Sequence, residues 1–483
     1  MPQSSQPEIA PLAERQPASA IASNFMPDLD PSVNELSALD AADPSAEHHG
    51  DPDPLRVRWN LSALMLDVTF FSIGMAFMDA SAILPLLLDR LGASGVLIGA
   101  FAAIRFLAFS LFQILIAYAT HNRPRQKPLL SWIAATTRLP LLALPWFLWR
   151  AAESPTARFT ALWATIVILT IWALGDGLGY VPWMEIVARA FTDKIRGRFF
   201  AATQLASGVI GIAVAALVVR GVLAASGLPF PYNYALLAGV SALMFQISLI
   251  GVLMIREPPP PAISETEPLP PLGGYLRRLP SVLRGNPIFA RLALVQLLVG
   301  FGAAAAPFYV LYATARFRLG DEWGAYYQVM QALGVVILMP AWALISERRS
   351  PAASVRCVAL TCLVTPLLAL TIGGVSPWLF GLVFLLMGGS LNWGLWITFN
   401  HYLLTHVRKQ ERSLFIALLS LLFMPSAIYP YVGGLLVQHK TMVSVGGMPV
   451  LFVASAAVIA IGAVLAWRLP APDTESGSRT VSA

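Results

Sequence analysis

Charged residues are scarce in this sequence. Only 12% of its 483 residues are Asp, Glu, Lys or Arg, whereas 57% are hydrophobic. Soluble domains carry about 25% charged residues, so this balance excludes an ordinary soluble domain and indicates a membrane protein. Cysteine is scarcer still. Cys357 and Cys362 stand five residues apart in one apolar segment, a spacing that excludes a disulfide framework.

Several chemical signatures are also missing. The sequence has no phosphate-binding glycine loop, which argues against direct coupling to ATP. His401 and His406 have no third ligand beside them, so they do not indicate a metal site. The longest loop between apolar segments is proline-rich and carries no cluster of His, Cys or acidic residues. We therefore expect no enzyme activity, no metal, no cofactor and no nucleic-acid partner.

Long apolar segments recur along almost the whole chain, and each can cross a hydrocarbon core of about 30 Å. Together they predict an all-α membrane protein with twelve transmembrane helices in two pseudo-symmetric six-helix halves. The predicted spans are 61–89, 94–119, 129–151, 159–188, 199–223, 232–255, 287–313, 323–346, 352–374, 377–404, 413–437 and 447–469.

Composition divides the chain into five regions. Residues 1–55 hold ten acidic side chains against Arg15 alone, so we expect a disordered acidic tail over 1–57. A proline-rich stretch predicts an exposed linker at 257–286. This linker separates a first half, 58–256, from a second half, 287–470, and a short tail follows at 471–483.

The loops predict the orientation. Lys and Arg are concentrated after spans 2, 4, 8 and 10 and around the central linker, and they are fewer in the opposite loops. By the positive-inside rule, both termini and the linker face the cytoplasm. We expect a multi-pass protein of the plasma (inner) membrane, and a monomer.

Five ionisable residues interrupt the apolar spans: Asp67, Asp79, Arg105, Arg138 and Asp176. A charge at the centre of a membrane helix costs about 2.5–3.5 kcal/mol, so such residues usually have a partner and often a function. Asp79, Arg105 and Asp176 fall near the middle of their spans, which indicates a polar site at the midplane of a transporter. Arg138 is expected to pair with Asp67 or Asp79, or to extend toward the membrane surface.

Local sequence resembles the major facilitator superfamily across about residues 58–470. Residues 84–94 are similar to the family's exit from its first helix, and residues 175–198 are similar to its junction between spans 4 and 5. The family's loop signature after span 2 is only partly present, because His121 stands where an aspartate is usual. The resemblance implies cytoplasmic gating loops, here carrying Arg125, Lys127, Arg196, Arg198, Glu347, Arg348 and Arg412.

In the resembled fold, spans 1, 4, 7 and 10 line a central cavity. Asp79 and Asp176 are then candidate proton carriers with Arg105 as their counter-charge, and the alternative is a permanent structural ion pair. Other candidates for the cavity wall are aromatic or amide side chains. They are Tyr180, Trp183, Asn392, Trp393 and Gln331, and ordinary helix packing or interhelical hydrogen bonding is the alternative for them.

These features predict a secondary transporter that moves a small-molecule substrate across the lipid bilayer by alternating access. Proton coupling and efflux of an amphipathic compound are the finer hypotheses. The alternative is a membrane protein of the same fold that binds partners or helps assembly without moving a solute.

Overall fold

The computed structural model describes residues 54–120, 123–224, 227–258, 283–407, 412–438 and 447–470. Most of the predicted acidic tail, the central linker and the final tail lie outside these residues. The described residues form helices joined by short connections and contain no strand. The predicted all-α class is therefore confirmed.

Twelve helical segments, called spans 1 to 12, follow one another along the chain. Six of them are continuous helices: span 2 (Gly95–Thr120), span 4 (Pro155–Ala190), span 6 (Tyr232–Met254), span 8 (Glu322–Arg348), span 9 (Pro351–Ile372) and span 12 (Gly447–Trp467). Six are interrupted: span 1 (Pro54–Phe77, Ile83–Arg90), span 3 (Lys127–Arg138, Leu144–Arg150), span 5 (Asp193–Ala213, Arg220–Ala224), span 7 (Pro287–Gly300, Ala306–Phe317), span 10 (Pro377–Leu386, Gly394–His406) and span 11 (Arg412–Phe423, Tyr429–Gln438).

Among the described residues, eleven helices are long and apolar enough to cross a membrane. The remaining segment is span 3, where a 3₁₀ turn at Leu139–Ala143 separates two shorter helices. Spans 4, 7 and 9 begin with one local signal, a capping side chain followed by proline. Ser154, Asn286 and Ser350 each accept a hydrogen bond from the backbone N–H three residues later, at 3.0–3.1 Å.

Four of the interruptions follow a common rule. A proline in a helix removes one backbone hydrogen bond and its ring clashes with the carbonyl four residues earlier. Spans 1, 3, 7 and 11 break where that earlier residue lies: Ser81 before Pro85, Leu141 before Pro145, Ala303 before Pro307, and Ser426 before Pro430. The expectation of one continuous helix over 61–89 is therefore wrong at residues 78–82. Pro182, Pro340 and Pro366 lie inside continuous helices, so proline alone does not produce a break.

The two ends of the bundle have different contacts. Trp59 and Asn60, at the start of span 1, donate to the carbonyls of Met254 and Arg256 at the end of span 6. We call this the linker end, because the chain passes from the first half to the second half there. The opposite end is called the Arg90 end after a residue at the end of span 1.

The halves meet closely near the Arg90 end. A Cβ atom added to Gly99 in span 2 would lie 2.2 Å from the carbonyl oxygen of Pro430 in span 11. A Cβ atom added to Gly434 would lie 2.5 Å from the carbonyl oxygen of Gly95. Glycine therefore allows the backbones of spans 2 and 11 to touch. Span 5 also packs on span 8, where Gly208 approaches Val336.

Candidate functional site

Asp67 anchors a buried network inside the first half. Its Oδ1 accepts hydrogen bonds from Arg138 Nη1 at 3.3 Å and from Ser248 Oγ at 2.5 Å, and its Oδ2 accepts from Trp183 Nε1 at 3.0 Å. Arg138 also donates to Ser248 at 2.9 Å. These four residues, from spans 1, 3, 4 and 6, are called the Asp67 network. Of the predicted partners for Arg138, the structure selects Asp67.

Arg105 and Asp176 differ from this network because they are not paired. The Arg105 guanidinium lies over the ring of Trp172, 5.7 Å from its centroid. In the part of the chain that the structure describes, neither Arg105 nor Asp176 makes a hydrogen bond or an ion pair. Both side chains are only half-buried. A charge of each sign is therefore left available inside the bundle.

Both of these charges line one cavity of about 280 Å³, called the central cavity. Its wall comes from spans 1, 2 and 4, and Pro307 of span 7 adds a surface from the second half. Arg105 and Asp176 are its charged members. The other lining side chains are apolar or aromatic: Met75, Ala80, Leu84, Pro85, Leu88, Ile98, Phe101, Ala102, Phe106, Phe109, Trp172, Ala173 and Pro307.

A second cavity of about 170 Å³, called the inner cavity, lies among spans 1, 3, 4 and 6. Asp67, Arg138, Tyr180 and Trp183 contribute to its wall. Asp176 and Trp172 line both cavities. Asp176 thus stands between the unpaired Arg105 on one side and the Asp67 network on the other.

Asp79 occupies the break in span 1. Its Oδ1 accepts the backbone N–H groups of Ser81 and Ala82 at 2.9 and 2.7 Å, as a capping carboxylate does. Its Oδ2 accepts a longer hydrogen bond, 3.4 Å, from Gln331 in span 8. Neither cavity lining includes Asp79. The structure therefore brings Arg105 and Asp176 to one cavity and places Asp79 in a contact between the halves.

The two aromatic candidates of span 4 lie in the inner cavity. Tyr180 is 44% exposed and meets the ring of Phe109 edge-on, with 6.0 Å between centroids. The indole N–H of Trp183 is already used by Asp67. Glu185 and Arg189, one turn further on, form the ion pair that their spacing predicts, at 2.8 Å.

The second half contributes amides rather than charges. Gln331 bonds to Asp79, and the buried Gln328 donates to the carbonyl oxygen of Ala76 at 2.7 Å. Asn392 ends a π-helical segment, Met387–Asn392, and it is exposed together with Trp393. Neither Asn392 nor Trp393 is among the lining residues of the two cavities.

The predicted gating residues lie at the linker end. Arg125, Arg198, Glu347 and Arg348 are exposed. The backbone N–H of Lys127 donates to Glu257, and Arg196 donates to the carbonyl oxygen of Ala188 at 3.4 Å. The first contact joins the first half to the start of the linker, and the second lies within the first half. The side chain of Arg412 lies outside the described part of the chain.

Sequence reasoning missed three features of the site. Ser248 is a plain serine in an apolar span, and Trp172 is one of 13 tryptophans, so neither stands out. Arg90 and Asp321 form a bidentate ion pair between the halves, with Nη2 to Oδ1 at 2.9 Å.

Within the described ranges, no group of three His, Cys, Asp or Glu residues is placed to hold a metal ion.

A family model for the Major Facilitator Superfamily matches residues 66–429, well over half of the chain. The chain therefore belongs to this superfamily. No curated protein matches the sequence.

Solved structures of transporters share the fold. One is a bacterial homologue of the human lysosomal transporter Spinster, inward-facing and unoccupied: 15% identity, 86% of this chain and 97% of that chain covered, TM-score 0.60. A bacterial homologue of the iron transporter ferroportin, also inward-facing, has 15% identity, 86% and 99% coverage, and TM-score 0.61. A D-xylose–proton symporter has 14% identity, 86% and 98% coverage, and TM-score 0.61.

The family and the fold define a multi-pass membrane transporter with a small-molecule substrate. The twelve spans in two six-helix halves agree with that membership. At such low identities the solved structures share the fold alone, so they do not identify the solute or the coupling ion of this chain.

Proposed function

We propose that the protein is a secondary transporter that moves its solute by alternating access and couples this movement to a proton carried by Asp176. The observation that carries this proposal is the contrast among three carboxylates within the spans. Asp67 and Asp79 each accept three hydrogen bonds. Asp176 accepts none from the described residues, yet it lines both cavities.

The hydrogen bonds that Asp67 and Asp79 accept hold both carboxylates in fixed structural contacts. Asp176 lacks that support. The five charged residues singled out above, Asp67, Asp79, Arg105, Arg138 and Asp176, comprise three carboxylates and two guanidiniums, and one proton therefore makes this set electrically neutral. The sequence suggested both Asp79 and Asp176 as carriers, and the geometry favours Asp176.

We also propose that the linker end faces the cytoplasm. The basic side chains there, among them Arg125, Arg198 and Arg348, support this orientation. The contacts of Arg90 with Asp321 and of Gln331 with Asp79 hold the halves together nearer the Arg90 end. With this orientation, the contacts at the Arg90 end support an inward-facing state.

Asp176→Asn tests the proposal, and Asp79→Asn is its matched control. Asparagine keeps a carbonyl oxygen that can accept the N–H bonds of Ser81 and Ala82, so only the charge is removed at residue 79. The purified protein is first screened for binders by thermal stability against a library of metabolites and drugs. Flux of a binder is then measured in proteoliposomes with and without a pH gradient.

Asp176→Asn is expected to abolish flux driven by the pH gradient, while exchange across the membrane continues for a binder that the variant still binds. Asp79→Asn is expected to keep gradient-driven flux. Gradient-driven flux that survives in Asp176→Asn would rule out this residue as the carrier. A wild-type protein that binds a solute but never moves it would instead support a partner-binding protein without transport.

A further inference from the structure

The central cavity has an unusual combination of lining groups. It holds one unpaired cation and one unpaired anion in a wall that is otherwise apolar and aromatic. We infer that its ligand is a zwitterion on a small apolar frame, with the acid group on Arg105 and the amine on Asp176. This inference rests on the proposed transport function, because it assigns a substrate class to the same site.

Arg105 is arranged to bind an anion. One face of its guanidinium is covered by the Trp172 ring at 5.7 Å, which leaves the N–H groups at its edge available. A guanidinium presents five N–H donors in a planar fork that matches a carboxylate. Buried arginine without a partner is costly in a membrane protein, so an anionic ligand group would satisfy an existing need.

Asp176 offers the complementary half of the site. Arg138, the basic residue that shares the lining of the inner cavity with Asp176, is already engaged by Asp67 and Ser248. The Asp176 carboxylate is therefore free to accept hydrogen bonds from an ammonium group. Span 2 carries Arg105 and span 4 carries Asp176, so a ligand that binds both charges also bridges two helices of the first half.

The remaining wall sets the size and character of the ligand. Phe101, Phe106 and Phe109 extend along span 2, and Pro307 of span 7 adds an apolar surface from the second half. A volume of about 280 Å³ is at the lower limit for drug-sized ligands, which favours a small molecule. An amino-acid-like compound with an apolar side chain fits these conditions.

Simpler ligands leave part of the site unsatisfied. A cation would leave Arg105 without a partner, an anion would do the same for Asp176, and an uncharged molecule would leave both unpaired. A ligand that leaves Arg105 or Asp176 unpaired binds less favourably than one that pairs both, so the site discriminates against ligands that lack either charge. The site is thus expected to select for the presence of both charges.

The test uses matched probes and the full-length protein in nanodiscs. One set has a phenyl frame: phenylalanine, phenethylamine, 3-phenylpropanoate and 3-phenylpropanamide. A second set has an alkyl frame: leucine, isopentylamine, 4-methylpentanoate and 4-methylpentanamide. Binding is measured as a shift in melting temperature and by titration of tryptophan fluorescence. Arg105→Gln and Asp176→Asn are compared with Arg105→Lys and Asp176→Glu, which keep the charges.

In the wild-type protein, the zwitterion of at least one set is expected to bind about tenfold or more tightly than its singly charged and uncharged analogues. Arg105→Gln should reverse this preference in favour of the amine, and Asp176→Asn should reverse it in favour of the carboxylate. Arg105→Lys and Asp176→Glu, which keep the charges, should retain the preference for the zwitterion. Arg150→Gln and Glu153→Gln remove an exposed ion pair outside the cavity and should change nothing.

The assignment is overturned if no zwitterion binds, if an uncharged analogue binds as well as its zwitterion, or if the two neutral variants keep the wild-type preference. These results are separable from failure of the proposed function. Zwitterion binding without flux in proteoliposomes would contradict transport and leave the ligand class intact. Proton-driven flux of an uncharged solute would contradict the ligand class and leave transport intact.

Discussion

The two halves of this transporter share an arrangement of spans but differ in their chemistry. In the first half, Asp67, Arg105, Arg138 and Asp176 lie around two cavities, and two of them are unpaired. In the second half, Gln328 and Gln331 reach across to span 1 as uncharged amides. The two halves therefore contribute different groups: the first half contributes charges that line the cavities, and the second half contributes uncharged amides that contact span 1.

The halves are more alike in their backbones. Spans 1 and 7, which occupy equivalent positions, both break four residues before a proline. Each resumes one or two residues before that proline, at Ile83 before Pro85 and at Ala306 before Pro307. The break in span 1 is capped by the Asp79 carboxylate, whereas the break in span 7 is a 3₁₀ turn at Phe301–Ala304. The two spans therefore share a break in the helix but differ in the groups that stabilise it.

The largest expected effect comes from removing charge within the first half. Asp67→Asn or Arg138→Gln should each lower the free energy of unfolding by about 3–5 kcal/mol, because the other buried charge loses its partner. The measurement is reversible unfolding in mixed micelles. The double variant Asp67→Leu/Arg138→Met should recover part of the loss, since an apolar pair leaves no charge unpaired. Single variants as stable as the wild type would show that the pair is not structural.

A side chain at the contact between the halves should have the next largest effect. Gly99→Leu places atoms against the Pro430 carbonyl and should disfavour closure at the Arg90 end by about 1–3 kcal/mol. Spin labels at residues 153 and 375, in a background without cysteine, would show a longer distance between the halves. Gly211→Leu is the matched control, because a Cβ atom there meets nothing within 4 Å. Equal distances in both variants would contradict the prediction.

The amide contact from the second half should matter less. Gln331→Leu removes one long hydrogen bond to Asp79 and should weaken closure by about 1 kcal/mol or less. Gln331→Glu should weaken it further, because two carboxylates would then face each other across the halves. The same label pair measures both variants. If Gln331→Glu closes as well as the wild type, the contact between Gln331 and Asp79 does not contribute to closure.

The smallest effect is expected from the partly exposed ion pair at the Arg90 end. Arg90 is half exposed, so its ion pair with Asp321 should contribute about 0.2–1 kcal/mol to closure in spite of its bidentate geometry. A double-mutant cycle with Arg90→Gln and Asp321→Asn isolates this coupling energy. High salt should reduce it. A coupling energy that does not respond to salt would indicate a more deeply buried pair than the structure shows.

Much of the fold was predictable, because apolar length and periodicity mark a membrane helix directly. The twelve spans, their grouping and the Glu185–Arg189 pair were all accessible from spacing. Pro85 also signals the break in span 1, although the apolar pattern alone predicts a continuous helix there. Pro182 shows why that signal is ambiguous, since the helix around it continues.

The site was less predictable. The sequence gives the depth of a residue and the helix face that it shares, but not the neighbour that it meets. The sequence therefore does not distinguish Asp79 from Asp176, although capping N–H groups contact Asp79 and Asp176 lines the central cavity. The partners of Asp67, namely Trp183 and Ser248, lie 116 and 181 residues away along the chain and can only be found in the folded structure.

Span 4, which carries Asp176, has a further consequence. It is an unbroken helix of 36 residues, which corresponds to about 54 Å at 1.5 Å per residue. A bilayer measures about 40–45 Å with its headgroups, so this helix must tilt or extend into water. The tilt of a helix that is longer than the membrane depends on lipid thickness. We therefore expect the depth of Asp176 in the bilayer to vary with membrane thickness.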